Sequence, residues 1–483
     1  MSKAFETVDS NLFTIANRPI AVSSDTSFIN NIRVPPTTGW VPTATNTTIA
    51  QSALGKKWTF SYSSYNSASK MQLKNCSLQL GLLFRGNNGA GNLPAANAYP
   101  SWNIVGYLIR ALNVSINGTS IVNISNYYSR CFTSHMLTAY DSAALDAHPA
   151  LLHPVCLDAD TYADGTGAGN GSAAARHTNY CTIAGKQYIV NIPFWDLCCC
   201  QNAGDAVYQN IRKLDIVIDF ESATEATYGY RLMGVAVGSD TAGCLITGAE
   251  LLIDSPTITA TQQLSTVAGK TQGHGDENLA FYVPTCYNYQ VNTNTQTIIP
   301  SVKYLRAVHM FQIAAQDSLG GDIAVANTSG NVGQLCFLKN ASAALTFAES
   351  IGAGVPGVQT AQITWGNLIY PTSPLILYDG SGATFAARNS AYVLEYLKST
   401  HRLCDRVDGL PASILGYMNT MQSLYICPWT EMAHNDQMSG DLIIRLTNTT
   451  TATTSTYNIV IWRLQAFAIK SDDANSVSGL LNA

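Results

Sequence analysis

Three aspartates lie close together in one segment of the chain. Asp158, Asp160 and Asp164 precede Gly165, and carboxylate oxygens at alternating positions of a loop are common ligands of Ca²⁺. The third acid comes later than that alternation requires, and no glutamate closes the loop. The pattern is therefore more typical of a solvated turn. We predict no metal site, and these three aspartates are the candidate ligands if one exists.

Two other segments suggest ligand chemistry but each lacks a required part. His148, His153 and Cys156 could supply part of a zinc site, but neither a paired Cys-x-x-Cys nor a fourth ligand follows. The glycine-rich residues 164–172 are followed by alanines and Arg176, whereas a phosphate-binding loop needs Lys and then Ser or Thr. The second segment is interpreted as a surface loop, and no cofactor is predicted.

Three consecutive cysteines, Cys198, Cys199 and Cys200, have the wrong spacing for chelation from one strand, because successive strand side chains point to opposite faces. They are predicted to be reduced thiols that fill the core. The eight histidines lie apart, and neither a Gly-x-Ser-x-Gly nor a His-Glu-x-x-His motif occurs. We therefore predict that the chain is not an enzyme.

The composition indicates which elements carry these residues. Only 12% of the 483 residues are charged, against 46% hydrophobic, and 26 basic residues face 31 acidic ones for a net charge of −5. Ser, Thr, Asn, Gly and 24 Tyr take the place of charge, and such residues favour strands and turns over exposed helices. No apolar run approaches the roughly 18 residues that a membrane helix needs. An all-β protein is predicted.

The N-terminal region is expected to be an extended arm over residues 1–50. No charged segment followed by an apolar run is visible at its start, so synthesis in a cytosol is expected. The first 55 residues carry Lys3, Arg18 and Arg33 as their basic residues, against three acids. Affinity for nucleic acid comes mainly from phosphate neutralisation. We therefore predict no direct nucleic-acid binding.

The two halves of the chain share a sequence pattern. Pro193 and Trp195, with Asp196 beside them, are followed by a strand-like segment at 213–220 and a longer one at 244–254. Pro428 and Trp429, followed by Glu431, precede similar segments at 440–446 and 457–469. This order predicts two duplicated β domains. Each Trp could lie at an interface or plug the base of its own barrel.

Domain boundaries follow from the turn-forming and polar stretches between these segments. The predicted organisation is an arm at 1–50, a first domain at 51–260, a linker at 261–285, a second domain at 286–470 and a tail at 471–483.

At this level the chain resembles the double jelly-roll major capsid proteins of virophages, polinton-like viruses and membrane-containing tailless DNA viruses. The resemblance lies in the tandem layout over roughly residues 50–470. It also lies in two segments, 105–118 with sequence VGYLIRALNVSING and 188–195 with sequence YIVNIPFW. The first resembles an early strand pair of the family, and the second resembles the turn toward the final strands of the first barrel.

The resemblance implies two tandem eight-stranded antiparallel jelly-roll barrels with short helices in loops. It implies a homotrimer acting as a pseudo-hexameric capsomer that tiles an icosahedral virion, after synthesis in the host cytoplasm. The implied partners are other copies of the chain, penton proteins and minor capsid or cement proteins, and an internal membrane can lie beneath the shell.

Two other classes of function remain open from the sequence. A carbohydrate- or receptor-binding β-protein, such as a spike or adhesin, would have exposed aromatic residues in loops and one divergent domain. A β-rich hydrolase would need paired carboxylates in a cleft, whereas the acidic clusters here, around Asp158 and at Asp276 and Glu277, lie in predicted loops.

Overall fold

The fold was obtained as a computed structural model of the whole chain. The structure describes residues 29–37, 57–63, 71–85, 104–125, 127–140, 148–150, 187–201, 203–204, 207–208, 210–220, 243–256, 277–291, 294–313, 358–376, 424–426, 439–448, 455–470 and 477–479. Nearly all of the described elements are antiparallel strands.

The first half forms two four-stranded sheets. In chain order their strands are β1 (Ile29–Val34), β2 (Lys57–Ser63), β4 (Ser77–Arg85), β5 (Ile109–Ile116), β6 (Thr119–Ile124), β7 (Gln187–Pro193), β9 (Lys213–Phe220) and β10 (Gly243–Pro256). One sheet has the order β1-β10-β4-β7 and the other β2-β9-β5-β6. A small additional pair joins β3 (Met71–Gln72) to β8 (Val207–Tyr208).

The second half repeats this arrangement. Its strands are β11 (Glu277–Val291), β12 (Asn294–Lys303), β13 (Leu305–Ile313), β14 (Val358–Trp365), β15 (Leu368–Ile376), β16 (Leu424–Ile426), β17 (Ser439–Asn448) and β18 (Ser455–Ile469). The sheets have the orders β11-β18-β13-β16 and β12-β17-β14-β15, and β19 (Val477–Gly479) pairs with β18. In both halves, strands one, eight, three and six form one sheet and strands two, seven, four and five the other. This is jelly-roll topology, and the predicted fold class is confirmed.

Alternation of apolar and polar residues explains why these segments are strands. In β9, Leu214, Ile216 and Ile218 are fully buried, while Asp215 between them is partly exposed. β17 shows the same alternation, with Leu442, Ile444 and Leu446 fully buried. A strand whose side chains alternate in this way covers one face of a core and exposes the other. The core of each half therefore lies between its two sheets.

Three α-helices are described, α1 (Ile104–Leu108), α2 (Tyr128–Ala139) and α3 (Phe194–Leu197), together with a short 3₁₀ helix at Leu73–Asn75, and all four lie in the first half. The sequence predicts a strand over the whole apolar run from Val105 to Ile116, but its first four residues are helical. Val105, Leu108 and Ile109 are all buried, and helical spacing brings such residues to one face. No helix within the described residues is long and apolar enough to cross a membrane.

The strand bounds differ from the predicted organisation at two points. β1 lies inside the predicted arm, where it pairs with β10 along its full length. Because this edge strand buries only one face, its apolar residues are scattered in the sequence. β11 begins inside the predicted linker and contains Pro284, which an edge strand tolerates because its outer side needs no N–H donor. The domain ranges 1–50, 51–260, 261–285, 286–470 and 471–483 stay predictions.

Candidate functional site at the junction of the two halves

We refer to residues 193–196 as the first Pro-aromatic corner, and it lies where the two halves of the chain meet. Pro193 ends β7 and is the N-cap residue of α3, whose four residues are all buried. The ring of Trp195 packs edge-on against Phe194 of its own half, with centroids 4.9 Å apart, and lies 5.5 Å from Phe281 of β11. Trp195 therefore contacts both halves of the chain rather than only the base of its own barrel.

The second Pro-aromatic corner contains Pro428 and Trp429, and both residues lie outside the described part of the chain. The strands that precede the two corners, β7 and β16, are each the sixth strand of their half and take the same place in the sheet order. The equivalence of the corner side chains stays a prediction.

Asp196, on α3, is the centre of a buried polar cluster. Its Oδ1 lies 2.7 Å from Nε2 of His135, and its Oδ2 lies 2.8 Å from Nε2 of His148. The Tyr140 hydroxyl donates to both oxygens, at 2.7 and 2.8 Å. Asp196 is 4% exposed and both imidazoles are similarly buried. We refer to Asp196, His135, Tyr140 and His148 as the Asp196 cluster.

The geometry of this cluster suits an ionised carboxylate. Each of the three surrounding side chains can donate a hydrogen bond, and a carboxylate accepts several such bonds. Burial by itself would raise the pKa of Asp196, but the hydrogen bonds from His135 and His148 outweigh it and hold that pKa well below the ordinary 3.8. The cluster thus holds a negative charge inside the protein.

The cluster accounts for both ring nitrogens of His148. The sequence suggests this residue as part of a zinc site with His153 and Cys156, but its Nε2 faces Asp196 and its Nδ1 accepts the N–H of Ala150 at 3.1 Å. Both ring nitrogens are occupied. Within the part of the chain that the structure describes, no group of His, Cys, Asp or Glu is arranged to hold a metal ion. His153, Cys156 and the candidate ligands Asp158, Asp160 and Asp164 lie outside those residues.

Buried thiols lie next to Asp196, directly after α3. Cys198 ends α3, and Cys199 has a left-handed φ of 53°, so the three cysteines lie on a helix end and turn rather than on the strand assumed in the spacing argument. The three are fully or almost fully buried and free, as predicted for core-filling thiols. Burial raises the pKa of Cys131, Cys199 and Cys200 far above the ordinary 9.0. These thiols remain protonated and neutral.

Hydrogen bonds connect the two halves of the chain next to these thiols. Gln201, directly after the thiols, exchanges two backbone hydrogen bonds with Tyr282 of β11, at 3.0 and 2.9 Å. The Tyr128 hydroxyl on α2 donates to the carbonyl of Leu197 at 2.6 Å, which fixes α2 against α3. α2 in turn packs against β11 and β18. The Asp196 cluster therefore lies within the joint between the halves.

A second link starts from the turn between β5 and β6. Asn117 and Gly118 both have positive φ, at 49° and 84°, as a two-residue hairpin turn requires. The buried Asn117 side chain donates to the carbonyl of Asn210 and accepts the N–H groups of Arg212 and Lys213. Asn210 then donates to Glu277 of β11 and to the carbonyl of Ile469 in β18. This chain of bonds holds the first half against both strands.

Sequence reasoning identified only part of this site. Asp196 was recognised as the acid of the corner, whereas the roles of His135 and Tyr140 were missed. His135 and Tyr140 precede Asp196 by 61 and 56 residues, so no local spacing connects them. The signal that could have found them is the cost of burying an acid: a carboxylate beside Phe194 and Trp195 needs donors from elsewhere in the chain.

Two tandem jelly rolls in one chain define the double jelly-roll class of fold. A chain in the cryo-EM structure of the Sputnik virophage is similar to this one, with 12% sequence identity, 94% of this chain and 89% of that chain covered, and a TM-score of 0.52. At this identity the likeness shows a shared fold over nearly the whole length.

Two further solved structures match at lower TM-scores. The mavirus major capsid protein matches at 10% identity, with 96% of this chain and 94% of that chain covered and a TM-score of 0.47. The PBCV-1 virus capsid matches at 10% identity, with 94% and 97% covered and a TM-score of 0.46. No protein-family model and no curated protein sequence matches the chain.

Proposed function

We propose that the chain is the major capsid protein of an icosahedral virus, with a structural rather than an enzymatic role. The observation that carries the proposal is the identical strand order of the two halves. Because each subunit contains two similar barrels, a trimer contains six. A block of six tiles a surface in the way that a hexamer does.

The surface of the described residues is consistent with this assembly. Its large exposed apolar side chains are Ile189, Ile298 and Ile369, and each lies on a strand at the edge of its sheet, β7, β12 or β15. Edge strands carry unpaired backbone groups, and an apolar side chain beside them favours contact with a neighbouring subunit. The low charge of 12% also suits a subunit with buried sides, because interface cores are depleted in charged residues.

The proposed assembly determines the partners and the location. The chain would associate with itself, first as a trimer and then as a lattice, and with penton and minor capsid or cement proteins. Its place would be the virion shell, after synthesis in the host cytoplasm, with a membrane beneath the shell as a further partner. The paucity of basic residues in the first 55 argues against direct contact with the genome.

Light scattering on the purified full-length chain tests the proposal. We expect a stable species of about three times the 51.8 kDa chain mass. A monodisperse monomer at all concentrations would contradict it. A spike or adhesin would instead bind a glycan or receptor fragment, so a glycan-binding array with the same preparation separates that alternative.

A further inference from the structure

The outer face of one sheet of the second half carries a row of apolar side chains. Ile298 on β12 pairs with Ile443 on β17, which pairs with Thr364 on β14, and Thr364 pairs with Ile369 on β15. Residues directly opposite each other in a sheet share a face. Ile298 and Ile369 are 54% and 48% exposed, and Ile443 is partly exposed. We refer to these four residues as the isoleucine row, which crosses four strands over about 14 Å.

β17 places one charge on each side of the isoleucine row. Asp441 and Arg445 lie two residues before and two residues after Ile443, so all three point to the same face, with the charges about 7 Å from Ile443 along the strand. Both charged residues are exposed. Asp441 accepts the N–H of Ser301 at 3.1 Å, whereas Arg445 has no ion-pair partner among the described residues. The face is therefore apolar along its middle, negative on one side and positive on the other.

The corresponding sheet of the first half presents a polar outer face. Lys213 and Asp215 on β9 form an ion pair at 2.7 Å, and the Ser61 hydroxyl on β2 donates to Asp215. The Asn113 amide on β5 donates to the hydroxyl of Ser120 on β6 at 2.9 Å. These polar groups bind one another within the chain. The two halves thus share a strand order but not this surface, and the joint between them uses the other sheet of the second half, through β11 and β18.

We propose that the face carrying the isoleucine row is a two-fold contact between two copies of this chain. Two identical sheets would stack face to face, about 10 Å apart. If the two-fold axis lies along the row, the two β17 strands are antiparallel, and Asp441 of each copy faces Arg445 of the other. An axis along the strands would instead place Asp441 against Asp441 and Arg445 against Arg445, which like-charge repulsion opposes. Charge complementarity therefore selects the axis along the row.

The symmetry of this contact distinguishes it from the contacts inside a trimer. A two-fold contact is isologous, whereas a ring of three is closed by heterologous contacts. In the proposed shell the isoleucine row would therefore join two neighbouring capsomers, and only this placement rests on the proposed function. Burial of the apolar row stabilises the contact, and the two ion pairs determine its register.

Charge reversal in the full-length chain tests the arrangement. Arg445→Asp alone places acids against acids, and Asp441→Lys alone places bases against bases. In sedimentation velocity each variant should associate about a hundredfold more weakly than the unsubstituted chain. An equal mixture of the two variants restores both opposite-charge pairs and should associate as the unsubstituted chain does. A mixture as weak as its components, or an unsubstituted chain that does not associate beyond the particle found by light scattering, would overturn the proposal.

Cross-linking at the centre of the row tests the contact without altering a charge. Ile443 lies on the proposed axis and faces its own copy, so Ile443→Cys should give a chain dimer with a short bismaleimide whose span suits sheets about 10 Å apart. The matched control is Val217→Cys, at an outward position of β9, which should give no more dimer than the unsubstituted chain. Equal yields at the two positions would overturn the proposal. Light scattering decides the trimer separately, because this cross-link joins two copies whatever the size of the particle.

Discussion

At the scale of single residues, Asp196 shows how an acid can be placed in an apolar environment. It lies between Trp195 and a run of buried thiols, where an unpartnered charge would cost several kcal/mol. Three donors compensate, and they come from α2, from the residue after it and from the turn at 148–150. The sequence indicates the acid of the corner through the internal repeat. It does not indicate the donors, because their approach depends on the tertiary fold.

Replacing Asp196 by Asn should destabilise the protein. The amide nitrogen of Asn would face a donor, and a hydrogen bond to a charged group contributes about 1.5 to 3 kcal/mol. We expect a loss of about 3 kcal/mol in denaturant unfolding at neutral pH.

The matched control is Glu250→Gln, which makes the same carboxylate-to-amide change in the exposed pair of Glu250 with Arg33. Exposed pairs contribute little, so this change should stay within about 0.5 kcal/mol. Equal losses in the two variants would show that the Asp196 cluster is not a stabilising element.

The buried thiols should resist alkylation in the folded protein. Burial raises the pKa of the Cys76 thiol, which is 1% exposed, from 9.0 to about 12. Because the thiolate is the reactive form, a raised pKa lowers reactivity. At about pH 8 roughly one thiol in ten thousand is ionised rather than one in ten, so labelling should be about a thousandfold slower than for a free thiol.

Mass spectrometry of iodoacetamide-treated protein measures the alkylation rate of each cysteine-containing peptide. The rate should increase about tenfold for each pH unit through pH 9 and should equal that of a free thiol after denaturation. Labelling of folded Cys76 at the rate of a free thiol would contradict its burial in the structure.

At the scale of elements, the predictable strands are those with one buried face. β9 and β17 were expected from their alternation, and the structure has them as strands that pair on both sides. α2 was not expected: Tyr128, Cys131, Phe132, His135 and Met136 are all buried, so it has no broad polar face to mark it as a helix. The sequence also predicts a helix at 389–403, where Tyr392, Tyr396 and Leu397 can share a face, and this range lies outside the described residues.

A close backbone contact between β17 and the turn that joins β14 to β15 gives a test at this scale. A Cβ added at Gly440 would lie 2.9 Å from Cα of Gly366, so the backbone would have to move. Gly440→Ala should cost about 1 to 3 kcal/mol in denaturant unfolding.

Gly248, in β10, has nothing within 4 Å of an added Cβ. Gly248→Ala therefore serves as the control, and its stability should change by less than about 0.5 kcal/mol. A loss of stability in the control and none at Gly440 would contradict the packing of the second half.

At the scale of the whole molecule, the tandem layout was predictable and the joint was not. The repeat of a corner, a strand and a final long strand corresponds to β7, β9 and β10 in one half and to β16, β17 and β18 in the other. Repetition along the chain is visible in a sequence. The contacts of Trp195 with Phe281 and of Gln201 with Tyr282 bring together residues that carry no shared local pattern.

The composition is best explained at this scale as well. Within one subunit, the low proportion of charged residues follows from the two apolar cores. In the proposed assembly, the sides of the subunit would also be buried, and interface cores are depleted in charged residues. The edge-strand isoleucines are the described positions at which such contacts are expected first.

Electron microscopy of the purified full-length protein, with two-dimensional class averages, tests the central claim most directly. If three chains of two jelly rolls form one capsomer, the averages should show a compact particle with six lobes, a hexagonal outline and three-fold symmetry. A particle with two lobes, or a ring with any other number of lobes, would contradict the proposed capsomer.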